Sequence, residues 1–103
     1  MKQRIFKGKK FSIYNYSTKI KNQPVSRDIL EKPNIAAIVA VKNNQILVVK
    51  CQRFPNGVDI EIPAGEIEKG EKPIEAALRE FREETGHVAK KMIPFLKFYT
   101  SLG

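Results

Sequence analysis

The most constraining feature of this 103-residue chain is a set of glycine, glutamate and arginine residues at fixed spacing between Gly65 and Gly86. Five residues separate Gly65 from Glu71, and seven more precede the segment Arg79-Glu80-Phe81-Arg82-Glu83-Glu84-Thr85-Gly86. Apolar residues recur here at helical spacing, with a proline near the start and a glycine after the end. The pattern predicts one helix of about thirteen residues that ends at Thr85 and Gly86.

The predicted helix has one apolar face. At roughly 100° per residue, side chains three and four positions apart fall on one arc of the helix surface. We therefore expect this arc to pack against a sheet. The residues that share it are Ile74, Ala77, Leu78 and Phe81.

Acidic residues lie at the edge of this arc. Glu80 and Glu84 are one turn apart, and Glu83 lies beside them on the solvent side. Like charges at this spacing repel, and a divalent cation bound by carboxylate oxygens removes the repulsion. Arg79, one turn before Glu83, is expected to hold that carboxylate through charge-assisted hydrogen bonds. A solvated, salt-bridged helix face is the alternative interpretation.

The segment from Gly65 to Gly86 resembles the signature of the Nudix hydrolases. The resemblance implies an α+β fold, in which a loop-helix-loop segment packs on a Nudix-type mixed β-sheet, with an N-terminal β-hairpin or small sheet. One position departs from the family pattern, because His87 stands where an aliphatic residue is expected. We expect His87 to cap the helix or pack against it.

The resemblance also implies a metal site and a set of catalytic residues. Glu80, Glu84, Glu83 and the backbone carbonyl of Ala64 are the expected ligands of Mg²⁺, with Mn²⁺ as an alternative. The same three glutamates are the expected catalytic residues, together with Arg79. Glu71 is expected to support the loop before the helix.

Residues upstream of the signature resemble the ADP-ribose pyrophosphatase branch of the family. The segment Glu61-Ile62-Pro63-Ala64-Gly65 and the pair Gln52-Arg53 carry this likeness, and the stretch beginning at Arg27 carries a weaker one. It implies that Arg53, Arg27 and Glu61 contact the substrate. For the two arginines, plain surface charge is the alternative.

The implied reaction is hydrolysis of a nucleoside diphosphate linked to another group, with ADP-ribose giving AMP and ribose 5-phosphate. The expected substrates are thus nucleotide sugars or dinucleotides. Two alternatives remain open, namely a Nudix hydrolase of another dinucleotide or of nucleoside triphosphates, and a nucleotide-binding module without turnover.

The length of the chain, 103 residues, predicts a single domain over residues 1–103. Its strands are predicted from alternating apolar and polar residues and from turn residues. Antiparallel strands are expected in residues 1–30 and the Nudix core in residues 31–103, which looks C-terminally short because the loop that often supplies a general base is missing. Leu102 stands where the ADP-ribose branch has a proline. The remaining predicted strands are a run covered on both faces from Ile35 to Val41, a buried strand from Ile46 to Val49, one ending at Ile62, and a last one from Met92 to Tyr99.

Charge and composition limit the partners and the compartment. The formal net charge is +8, yet nine of the eleven acids fall between Asp59 and Glu84. The lysine runs outside this segment join no nucleic-acid recognition motif, so nucleic acid is not expected as a partner. No apolar run is long enough to span a membrane, and a cytoplasmic protein is expected. Cys51 is predicted to be a buried, inert thiol. The open sheet edges predict a homodimer, and the alternative is that the sequence is a fragment of a longer protein.

Overall fold

Two compact units make up the chain in the computed structural model, which describes residues 1–99. One unit consists of Met1–Pro33 with the described residues after Phe95, and the other spans Asn34–Phe95. The first unit ends close to the boundary expected at residue 30. A single domain over the whole chain stays a prediction.

The first unit contains a three-stranded antiparallel sheet. Its strands are β1 (Lys2–Lys7), β2 (Ser12–Ile20) and β3 (Gln23–Glu31), in the spatial order β1-β2-β3. The predicted N-terminal hairpin is thereby confirmed and extended by a third strand. Pro24 lies in β3, which is an edge strand and tolerates a residue without a backbone N–H.

The second unit contains three short antiparallel pairs of strands. The pairs are β4 with β9, β5 with β6 and β7 with β8. A single mixed sheet is therefore not seen among residues 1–99, although strands and one helix give the expected α+β class. The strands are β4 (Ile35–Ala37), β5 (Val41–Lys42), β6 (Gln45–Ile46), β7 (Val49–Arg53), β8 (Gly57–Glu61) and β9 (Ala64–Glu66).

The prediction of one doubly covered strand from Ile35 to Val41 is wrong. The strand β4 ends at Ala37, and burial alternates, with Ala36 and Ile38 buried but Ile35 and Val39 exposed. Only one face is covered, because the helix packs on one side alone. Backbone bonding continues past the strand, since the Ile38 N–H donates to the Pro63 carbonyl at 2.8 Å.

Two further strand predictions are also wrong. The run from Ile46 to Val49 is divided, because β6 ends at Ile46 and β7 begins at Val49. No strand forms between Met92 and Tyr99. Pro94 lies inside that segment and removes a backbone donor that a strand would use. The prediction about Leu102 lies outside the described residues.

The helix agrees with the sequence at both ends. Helix α1 spans Pro73–Thr85, and Gly86 follows in the left-handed conformation at φ 75°, with its N–H donating to the Arg82 carbonyl at 2.9 Å. Proline at the first position and glycine after the last favour these ends. There is no helix in residues 1–99 that is long and apolar enough to cross a membrane.

The buried core lies between α1 and β4. Its helical members are Ala76, Ala77 and Phe81, which pack with Ala36 and Ile38. The buried face of α1 is rotated slightly from the predicted apolar face. Leu78, which belongs to the predicted face, is 40% exposed, whereas Ala76, which does not, is fully buried. The face that meets β4 and β9 is centred on the small residues, which allow the closest approach of the backbones.

Candidate active site

Arg79 lies at the centre of a network of acidic groups. Its Nε and Nη2 donate to the two carboxylate oxygens of Glu71 at 2.8 and 2.9 Å. Its Nη1 donates to Glu80 at 2.7 Å and to Glu83 at 3.3 Å, and Nη2 also reaches the Glu66 carbonyl at 3.0 Å. A planar guanidinium with five N–H donors is suited to hold several oxygens at once.

The expected contact from Arg79 to Glu83 is confirmed, but it is the longest of these hydrogen bonds. The two-point contact goes instead to Glu71, which lies in the loop before α1. Helical spacing indicates which neighbours of Arg79 are within reach on the helix. It contains no information about the loop, so the strongest partner was not predicted.

Glu71 fastens the loop to the helix, as expected. Its carboxylate accepts from Arg79 and from the backbone N–H of Glu68 at 3.0 Å, and its side chain is 15% exposed. The hydrogen bonds from Arg79, followed by the one from Glu68, lower the pKa of Glu71 from 4.5 to about 2. Both favour the charged carboxylate.

Glu80 is positioned by Arg79 and by the absence of a side chain at Gly65. A Cβ atom on Gly65 would overlap the carboxylate carbon and both oxygens of Glu80. The glycine backbone in β9 therefore forms a surface against which this carboxylate lies. The Glu80 side chain is only 13% exposed.

Glu84 and Glu83 are in different environments. Glu84 accepts a hydrogen bond from the backbone N–H of Ala64 at 3.1 Å. Glu83 is on the solvent side, as expected, with 58% of its side chain exposed. The helix thus brings Glu80 and Glu84 to the backbone of Ala64 and Gly65.

The residues at this site have the chemistry that a hard divalent cation requires. Carboxylate and carbonyl oxygens are the ligands that Mg²⁺ and Mn²⁺ prefer. Within residues 1–99, however, no three acidic, histidine or cysteine side chains are gathered closely enough to form a ready-made metal cluster. The donor types fit the cation, and the Arg79 guanidinium and the Ala64 N–H donate hydrogen bonds to these carboxylates.

Arg53 and Glu61 form an ion pair on β7 and β8. The Nε and Nη2 of Arg53 donate to the two oxygens of Glu61 at 2.9 and 2.8 Å. The pairing raises the pKa of Arg53 and lowers the pKa of Glu61, in each case first through these hydrogen bonds. Two residues predicted as separate substrate contacts are therefore partners of each other.

Cys51 lies on β7 beside this ion pair. It is a free cysteine, half-buried rather than buried as predicted. The hydrogen bond from its side chain also lowers the pKa of Glu61.

Arg27 and His87 are separate from these contacts. Arg27 is an exposed residue of β3 in the first unit, opposite Tyr16. The His87 ring lies 6.5 Å from the Phe81 ring, and the His87 N–H donates to Thr85 Oγ1 at 3.1 Å. The expectation that His87 packs against the end of the helix is confirmed.

Sequence reasoning missed two members of the Arg79 network. They are the carbonyl of Glu66 and the side chain of Glu68, whose carboxylate is 3.8 Å from Nη1 of Arg79. The available signal was the acidic loop itself, since Gly70 at φ 81° marks a turn that brings this loop back towards the helix.

Comparison with known proteins identifies the relatives of this chain. Residues 31–103 match the NUDIX domain family. An ADP-ribose pyrophosphatase of Bacillus subtilis (strain 168) is 43% identical, over 99% of this chain and 57% of the relative. A methanol dehydrogenase activator of Bacillus methanolicus is 38% identical, over 98% of this chain and 56% of the relative. An ADP-ribose pyrophosphatase of Haemophilus influenzae is 32% identical, over 77% of this chain and 42% of the relative.

This chain spans little more than half the length of the first two relatives. The family match nevertheless covers most of the chain and includes α1, the loop before it and the strand β9. The spacing from Gly65 to Gly86, the network around Arg79 and this match lead to one conclusion: the chain belongs to the Nudix family.

Proposed function

We propose that this chain provides the Nudix part of an enzyme that hydrolyses the diphosphate of a nucleoside diphosphate linked to another group. ADP-ribose is the proposed substrate, with AMP and ribose 5-phosphate as products. The observation that carries the proposal is the placement of Glu80 and Glu84 against the Ala64 and Gly65 backbone. The names of the Bacillus subtilis and Haemophilus influenzae relatives support the choice of substrate.

The proposed metal is Mg²⁺, with Mn²⁺ as an alternative. Glu80, Glu84, Glu83 and the Ala64 carbonyl would hold it. When bound, such a cation neutralises diphosphate oxygens and lowers the pKa of a water molecule. Arg79 keeps Glu80 oriented before the cation arrives, and Glu71 keeps Arg79 in place.

Arg53 is the proposed contact for a phosphate of the substrate, and Arg27 is a further proposed substrate contact. The two contacts of Arg53 with Glu61 use Nε and Nη2, so they leave the Nη1 hydrogens for a phosphate oxygen. Glu61 would then act on the substrate through Arg53, by holding the guanidinium in a fixed orientation. Arg27, an exposed residue of β3 in the first unit, is proposed from the resemblance of its segment alone.

The test is product analysis with Mg²⁺ and a panel of ADP-ribose, diadenosine polyphosphates and nucleoside triphosphates. We expect AMP and ribose 5-phosphate from ADP-ribose. The Glu84→Gln variant should hydrolyse ADP-ribose at least about 100-fold more slowly. Glu75→Gln is the matched control, because Glu75 lies on the opposite side of α1 and glutamine keeps its role as acceptor for the Lys72 N–H. Full activity in E84Q would rule out the proposed site. Turnover of another substrate class alone would rule out ADP-ribose.

A further inference from the structure

The turn between β1 and β2 encloses a shallow pocket of about 380 Å³ together with the end of β3. We propose that this pocket, called the lysine pocket below, binds a linear anion that carries several phosphates, such as a nucleoside triphosphate or inorganic tripolyphosphate. The proposal goes beyond the hydrolytic function and does not depend on it. The side chains that argue for it are Lys7, Lys9, Lys32, Phe11 and Tyr14.

The fold brings these lysines together from two distant parts of the sequence. Lys7 ends β1 and Lys9 lies in the following turn, whereas Lys32 follows β3. Ser12 pairs with Glu31 across β2 and β3, so the residue after Glu31 comes next to the turn. The sequence shows only separate basic residues, and the strand register converts them into one site.

The turn that carries the lysines is held in a defined shape. The Gly8 N–H donates to the Phe11 carbonyl at 2.7 Å, and the Phe6 and Phe11 rings are 5.6 Å apart. A side chain at Gly8 would crowd both rings and the Phe11 carbonyl. The lysines therefore project from an ordered support, which reduces the entropy lost when an anion binds.

The charge around the pocket is strongly positive. Met1–Pro33 contains nine lysine and arginine residues and only two acids. Glu31, in the pocket wall, already accepts from the Tyr16 hydroxyl at 2.5 Å and pairs with Lys2 at 3.3 Å. Asp28 accepts from Asn15 at 2.9 Å. Both acids have partners in the sheet, and Lys7, Lys9 and Lys32 bring positive charge to the pocket, where an ammonium group attracts phosphate as a point charge.

Two sources of the phosphates fit the pocket. Phe11 is 39% exposed and Tyr14 is half-buried, so both offer a flat apolar surface on which a base can stack. Tighter binding of ATP than of tripolyphosphate would identify a nucleotide as the ligand. Equal affinity would identify the phosphate chain alone.

The test is calorimetric titration of the full chain with tripolyphosphate and with ATP, in EDTA at low salt. Without a divalent cation the glutamates of the candidate active site repel phosphate, which weakens binding at that site. We expect the Lys9→Gln/Lys32→Gln variant to bind at least about tenfold more weakly. The matched control, Lys19→Gln/Lys21→Gln, removes the same charge at the opposite end of the sheet. Its affinity should fall by less than about twofold. The Lys9→Arg/Lys32→Arg variant should keep the affinity.

Three results would overturn the proposal. One is an equal loss of affinity in the two glutamine variants, which would mean diffuse attraction to a basic surface. Another is a dissociation constant above about 1 mM for both anions. The last is tight binding of a single-stranded oligonucleotide that both variants weaken alike, which would indicate a nucleic-acid surface without a defined pocket.

Discussion

At the scale of single residues, Arg79 decides how the acidic site is organised. Five oxygen-bearing groups from β9, the loop and the helix surround its guanidinium, and the Arg79 side chain is 25% exposed. An arginine in this position offsets the repulsion between Glu80 and Glu83 while no cation is bound. The helical spacing predicted the contact with Glu83. The dominant contact with Glu71 depends on the path of the loop, which no local pattern specifies.

The depressed pKa of Glu71 predicts a pH-dependent contribution to stability. The carboxylate is favoured in the folded state, so its stabilising effect is present above the ordinary pKa of 4.5 and is lost as the pH falls to about 2. We expect Glu71→Gln to lower the melting temperature near neutral pH and the difference from the native chain to shrink between pH 4.5 and 2. The measurement is thermal unfolding in metal-free buffer across that range.

Glu75→Gln is again the control for this experiment, because it removes an equal charge from the same region without touching Arg79. A difference between the native chain and E71Q that stays constant down to pH 2 would contradict the assignment of Glu71.

A methyl group at Gly65 should displace Glu80. We expect Gly65→Ala to destabilise the fold by about 1 to 3 kcal/mol, because the added atom meets the Glu80 carboxylate in a crowded site. Denaturant unfolding measures this loss of stability, with Gly65→Ala introduced into the native chain and into a Glu80→Ala variant. In a Glu80→Ala background the same substitution should cost little, since the overlapping group is gone. An equal cost in both backgrounds would show that the Gly65 backbone, and not its contact with Glu80, is responsible.

At the scale of elements, the helix was predictable and several strands were not. Both ends of α1 are fixed by nearby residues, namely Pro73 at the start and Gly86 after the end. Strand bounds depend on partners that are distant in sequence. The run from Ile35 to Val41 reads as one buried strand, yet it pairs with β9 over only three residues before bonding to other segments.

The end of the helix offers a direct test of this local control. Gly86 has a φ of 75°, which costs little for glycine and more for residues with a Cβ atom. We expect Gly86→Ala to lower the free energy of unfolding by about 1 kcal/mol. Gly86→Asn should cost less, because asparagine tolerates this conformation better than alanine. Urea unfolding of the three proteins gives the values, and equal stability of G86A and the native chain would refute the capping role.

At the scale of the whole molecule, the two units differ in what they bury. The buried hydrophobic cluster belongs to the second unit, between α1 and β4. In the first unit no apolar side chain among the described residues is buried, and Ile5 and Leu30 are 59% and 56% exposed. The sequence indicated strands in both places through alternation. It could not indicate which strands are buried on one face, since burial depends on which other element of the fold packs against them.

The three-stranded sheet of the first unit exposes apolar side chains such as Ile5 and Leu30, and we expect a homodimer in solution. Such a sheet needs a packed hydrophobic face to be stable, and a second copy of the chain can supply it. Light scattering after size exclusion should give twice the monomer mass, and the melting temperature should rise with protein concentration, because dissociation accompanies unfolding. Leu30→Lys should shift the protein towards monomer, whereas Gln23→Lys, on an exposed end of the same strand, should not. A monomer with a cooperative, concentration-independent melt would show that each chain stabilises this sheet by itself.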